Sequence, residues 1–150
     1  MAKYLLVANQ TLGGAQLTTV LDELLEAGPC ALRLVVPVTD TEGSHQWDYP
    51  PVDRFVPDAH KIARALAEGR LEHELARLLR SGAEASGEVV DAEPLARIEE
   101  LLHTQDFDGI IVSTLPRRLS RWLITDLPHR IARSTHVPLR HLESDAGPSL

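Results

Sequence analysis

Residues 109–122 read GIIVSTLPRRLSRW. Gly109 to Val112 carries no polar side chain, Ser113-Thr114 ends the run, and Pro116 breaks the backbone before Arg117-Arg118 open the next segment. A strand apolar at consecutive positions has both faces covered, as in a sheet held between two helix layers. The hydroxyls, proline and arginines that follow it have the make-up of a loop that holds phosphate.

Outward from this stretch the chain alternates strands with helices. Toward the N-terminus, Tyr4 to Ala8 is a short apolar run broken by Asn9-Gln10-Thr11-Leu12-Gly13-Gly14. Leu17, Val20, Leu21, Leu24 and Leu25 recur at helical spacing until Gly28-Pro29 stops them. Ala31 to Val38 (ALRLVVPV) reads as a second strand, and residues 39–57 as a long polar and proline-containing loop. Pro57-Asp58 opens a helix carrying Ile62, Leu66, Leu71, Leu75, Leu78 and Leu79, which Gly69 should dent and Gly82 should close. Glu88-Val89-Val90 is a brief third strand, with Asp91 placed to cap a helix from Pro94 to His103. The fourth strand is Asp108 to Val112. Leu119, Trp122, Leu123, Leu127 and Ile131 then read as helical, with Pro128 interrupting or restarting the helix, and Val137 to Leu142 closes as a fifth strand. Residues 1–142 are thus expected to form one α/β domain, a doubly wound parallel sheet with helices on both faces, and 143–150 (ESDAGPSL) a fraying tail.

Composition excludes several classes of function. The formal charge of -7 argues against a nucleic-acid or acidic-membrane surface, because both need clustered positive charge. No apolar run approaches the ~20 residues that span a bilayer. The lone Cys30 makes a reducing cytoplasm the expected compartment, and it reads as a small buried residue. The scattered histidines show no zinc-like spacing, and no nucleophile elbow or Walker loop is present, so neither a metal site nor a dedicated enzyme is expected.

Doubly wound sheets bind ligands outside the carboxyl ends of their strands, where strand order reverses. That directs attention to two loops, Asn9–Gly14 after the first strand and Ser113–Arg118 after the fourth. Ser113 and Thr114 can donate hydroxyls, and Arg117 and Arg118 can grip a phosphate bidentately. Those arginines can equally be a solvated helix start facing an acidic partner surface. Asn9 and Gln10 could contact a ribose or base, although Asn after a strand is often a turn-former. Trp47 and Tyr49 could lid a base by stacking or pin their loop to the body.

The order of elements, and above all DFDGIIVSTLPRRLSRWL (106–123) with LPHRIARSTHVPL (127–139), resembles the universal stress protein family. The resemblance covers essentially the whole chain. It implies strand order 3-2-1-4-5, with the switch point between strands 1 and 4, and a homodimer built on the last strand through Val137, Leu139 and Leu142. It also implies an ATP or AMP site, with Ala8 and Asn9 at the end of strand 1 and Val38 at the position whose backbone recognises adenine. The family's ATP binders carry Gly, two residues, Gly, nine residues, then Gly-Ser or Gly-Thr. Here the glycines fall at Ser113 and Pro116, and the final pair at Thr125-Asp126 with one residue fewer between. Proline offers no N–H and Asp126 repels phosphate, so the expected nucleotide site is degenerate and weak, with Ser113, Thr114, Arg117, Arg118 and Thr125 in place of the glycine cradle. The resulting expectation is a stress-type binding or signalling module. A flavodoxin-like FMN protein, using Gln10–Gly14 for phosphate, is the competing reading.

Overall fold

The computed structural model describes residues 1–38, 59–91, 94–116 and 126–148. In chain order these form β1 (Ala2–Val7), α1 (Ala15–Ala27), β2 (Cys30–Pro37), α2 (Ala59–Arg80), β3 (Glu84–Val90), α3 (Pro94–Thr104), β4 (Gly109–Thr114), α4 (Leu127–Arg133) and β5 (Leu139–Glu143). The strands make one sheet of order β3-β2-β1-β4-β5, and every adjacent pair is parallel. This is the strand order that the family resemblance implies.

Period-two alternation divides the apolar strand residues between two helix layers. Leu6, Leu32, Leu34, Val36 and Ile111 face α1 and α2, packing with Leu17, Leu21, Ala67, Leu71 and Leu78. Leu5, Val7, Val35, Ile110 and Val112 face α3 and α4, packing with Ile98, Leu101 and Ile131. The chain steps from β1 to β2 to β3 in one direction and from β4 to β5 in the other. Right-handed crossovers then put α1 and α2 on one face and α3 and α4 on the opposite face. α1 and α4 therefore pack on opposite faces of the sheet, which makes the adjoining carboxyl ends of β1 and β4 its switch point.

Several elements differ from the sequence reading. β3 begins at Glu84, earlier than the apolar triplet at its end, because the ladder from Ala31↔Glu84 to Pro37↔Val90 holds a polar edge strand. Gly87 lies where α2 presses on that strand, and a Cβ there would stand 2.6 Å from Leu71 Cδ1 and 3.0 Å from Leu34 Cβ. α2 runs unbroken through Gly69. Its buried stripe is Ala63, Ala67, Leu71, Glu74 and Leu78, while Ile62 and Leu79 face outward. Small alanines at its N-terminal half let the helix approach the sheet closely. The Asp91 carboxylate accepts a hydrogen bond from Arg64 Nη1 (2.9 Å) and lies 2.9 Å from His60 Nε2, both on α2, while residues 92 and 93, which lead into α3, lie outside the described residues. Pro128 lies in the first turn of α4 and starts that helix, where its missing N–H is no loss. Cys30 is buried, and burial pushes its thiol above the ordinary value, which keeps it unreactive.

The segment after β5, expected to fray, is tied to the opposite end of the chain. Gly147 N–H donates to Gln10 O (2.8 Å), and Ser144, 2% exposed, accepts from Leu17 N–H through its hydroxyl (3.2 Å). The expected helical segment containing Leu119, Trp122 and Leu123 lies outside the described residues.

Candidate functional site

Parallel pairing brings the ends of β1 and β4 together, with Val7 opposite Val112 in register. The next residues on each strand are polar and buried: Asn9 and Thr11 after β1, Ser113 and Thr114 at the end of β4. Polar side chains buried this deeply need partners. Thr11 Oγ1 and Ser113 Oγ lie 2.8 Å apart, a hydroxyl pair across the switch point. Thr114 Oγ1 lies 2.8 Å from His141 Nε2 on β5. Asn9 Nδ2 donates to Pro37 O at the end of β2 (2.7 Å), and Asn9 Oδ1 accepts from Arg70 Nη1 on α2 (3.0 Å). The carboxyl ends of β2, β1, β4 and β5 are thus joined by side-chain hydrogen bonds.

Ala8 is buried, and its N–H continues the ladder to Val35 O (3.2 Å). Gln10 is half-buried, with its carbonyl engaged by Gly147. Val38 N–H donates to Val90 O (2.9 Å), so that backbone donor serves the β2–β3 ladder. Arg117, Arg118 and Thr125 lie outside the described residues, as do Trp47 and Tyr49. Asp126 immediately precedes α4 in the left-handed region (φ 58), with its carboxylate 2.6 Å from His129 Nδ1. Short polar side chains tolerate that conformation better than most.

The glycine turn that an FMN phosphate would need is covered. A Cβ on Gly14 would stand 2.1 Å from Asp145 O, and Gly13, at φ 83, faces Pro148. Sequence reading missed Gln16, Arg70, His141 and Ser144. Each acts through a partner more than 25 residues away, which no local pattern reports.

No family model matches the chain, and no curated protein matches it in sequence. Solved structures do match. The hypothetical protein MJ0577, whose biochemical function was assigned from its structure, aligns with a TM-score of 0.63 at 13% identity, over 95% of this chain and 96% of its own. A universal stress protein family protein from Arabidopsis thaliana with AMP bound aligns at TM-score 0.62 and 10% identity, over 97% and 94% of the two chains. The chain has the universal stress protein fold. A universal stress protein in complex with cAMP aligns at TM-score 0.50 and 12% identity, over 96% and 98%. At these identities the likeness carries the fold, and the residues at the switch point carry any statement about ligands.

Away from the switch point, a cavity of about 310 Å³ lies at the amino ends of the strands, lined by Lys3, Arg33, Glu84, Ser86 and Gln105 among others. Among the described residues no group of three or more His, Cys, Asp or Glu side chains could hold a metal ion. No described helix is long and apolar enough to cross a membrane.

Proposed function

We propose that this protein is a nucleotide-binding module of the universal stress type that binds weakly at the β1–β4 switch point and acts through binding, without a catalytic step. The observation that carries the reading is the buried polar set Asn9, Thr11, Ser113 and Thr114 at the divergent ends of β1 and β4. Core space there is given to hydrogen-bonding groups and not to aliphatic ones. Two solved proteins of this fold hold AMP and cAMP, which supports a purine nucleotide as the ligand class. Ser113 and Pro116 stand where the ATP binders' glycines would be, and Asp126 brings a carboxylate to the start of α4. Arg117, Arg118 and Thr125 keep in this proposal the phosphate role that the sequence gives them.

Calorimetry with AMP is expected to give about −5 to −6 kcal/mol, a high-micromolar dissociation constant. ATP should bind no tighter than AMP, because its extra phosphates gain no glycine cradle. Sub-micromolar ATP binding would overturn the degenerate-site reading, and a yellow preparation releasing flavin on heating would revive the FMN one.

The same proposal includes a homodimer through β5, the sheet edge opposite β3. An unpaired strand edge invites pairing, and a twofold interface satisfies both copies. Leu139 and Val137 pack partly against the α3–α4 core and Leu142 against the other, so all three are half-buried within one copy. Sedimentation at high micromolar concentration should show a dimer, and a purely monomeric species would remove this element.

A further inference from the structure

The C-terminal segment Ser144–Pro148 crosses the β1–α1 turn and is bonded to it on both sides. Ser144 N–H donates to Thr114 O (2.8 Å), so the segment leaves β5 directly over the end of β4. Gln16, exposed in the first turn of α1, holds it from the far side. Its Oε1 accepts from Ser144 Oγ (3.1 Å) and from Asp145 N–H (2.9 Å), and its Nε2 donates to Asp145 Oδ2 (3.0 Å). Gly147 then passes so close that a Cβ would stand 1.8 Å from Leu12 O, while its N–H binds Gln10 O. Three glycines, at 13, 14 and 147, make this close crossing possible.

We propose that residues 144–148 are an autoinhibitory strap, seated across the β1–α1 side of the switch point and excluding an anionic ligand from it. This rests on the nucleotide reading above and adds its regulation. The strap covers two groups flanking that site, the Gln10 carbonyl and the Thr114 carbonyl. It also brings the Asp145 carboxylate beside the β1–α1 turn, with Glu143 opposite Thr114 in the β4–β5 register. A phosphate approaching the switch point meets negative charge as well as occupied space. Asp145 and Ala146 are exposed, and hydrogen bonds with Gln10, Gln16, Leu17 and Thr114 hold the strap among the described residues. Such a contact opens at modest cost, which suits a gate. If it is seated in nine of ten molecules, apparent ligand affinity falls about 10-fold.

Two variants release it by independent routes. Gly147→Val drives a side chain into Leu12 O, and Gln16→Ala deletes three bonds from an exposed helix position with no change to the core. Strap seating is read by carboxypeptidase digestion from the C-terminus, and AMP affinity by calorimetry on the same full-length proteins. The expected result is faster trimming beyond Pro148 in both variants, together with AMP binding about 5- to 10-fold tighter than in the unsubstituted protein. Faster trimming with unchanged or weaker AMP binding overturns the strap while the nucleotide reading stands. Trimming that is equally fast in all three proteins overturns it as well, because the segment is then never seated. No AMP binding by any of them, with the strap released, overturns the nucleotide reading and autoinhibition together.

Discussion

Glu88→Ala is expected to destabilise the protein by about 2–3 kcal/mol, measured by urea unfolding at neutral pH. Glu88 on β3 accepts from Arg33 Nη2 on β2 (2.7 Å) and from Arg97 Nε on α3 (3.0 Å to each oxygen). Arg97 has a second partner in Glu100 (3.2 Å), but among the described residues Arg33 has Glu88 alone. The Arg33 side chain is 21% exposed, and its Nε is buried with no hydrogen-bond partner among the described residues. Removing the carboxylate therefore strands a mostly buried guanidinium, a change that costs about 3–5 kcal/mol when burial is complete and less here. The pH dependence follows. Hydrogen bonds from Arg97 and then Arg33, opposed by burial, hold the Glu88 carboxyl below its ordinary 4.5. A depressed carboxylate contributes its full stability above the unfolded value and loses it as pH falls through the folded one. The gap between the protein and its Glu88→Gln variant should be full at pH 7 and narrow as pH falls below 4.5 and through the lowered folded-state value. A gap that is constant down to pH 3 would show that the carboxylate charge contributes nothing.

Asn9→Leu is expected to cost about 2–3 kcal/mol, because it leaves the buried Pro37 carbonyl without its donor and takes an acceptor from Arg70. Asn9→Asp separates the two contacts. A carboxylate gains an ion pair with Arg70 but sets an oxygen against Pro37 O, where the amide now donates over 2.7 Å. Its expected cost is smaller, about 1–2 kcal/mol, since the charged hydrogen bond offsets part of the loss. Equal stability of the Asp variant and the unsubstituted protein would mean that the ion pair with Arg70 offsets the whole loss at Pro37. The geometry also explains why Asn suits this position. The end of β2 presents a carbonyl there, and only an amide can satisfy it and Arg70 at once.

The sheet was legible wherever burial on both faces demanded consecutive apolar residues, as in Leu5–Val7, Leu34–Val36 and Ile110–Val112. It was less legible at its edges. Glu84–Gly87 carries no apolar run, and its strand character comes from the β2 ladder and from the room that Gly87 leaves for Leu71. Asp91 reads as a helix cap because Pro94 follows closely, and Arg64 and His60 of α2 reach its carboxylate across space, which no local pattern reports. At the switch point, Asn9, Ser113 and Thr114 stand out in the sequence by their position after apolar strands, and all three are buried there. Their partners do not stand out, since Arg70, His141 and Pro37 are brought to them by sheet order and not by sequence spacing. In the tail, ESDAGPSL has the composition of a frayed end, while the partners of its described part, Gln10, Gln16 and Leu17, lie over 125 residues away.

The most direct test of the account is amide chemical-shift mapping of the isotope-labelled protein during titration with AMP. Saturable shifts are expected at Asn9, Gln10, Ser113 and Thr114, with Ala31, Arg33 and Ser86 at the opposite end of the sheet unmoved. Shifts centred on that amino-end cavity, or none at millimolar AMP, would contradict a nucleotide site at the β1–β4 switch point.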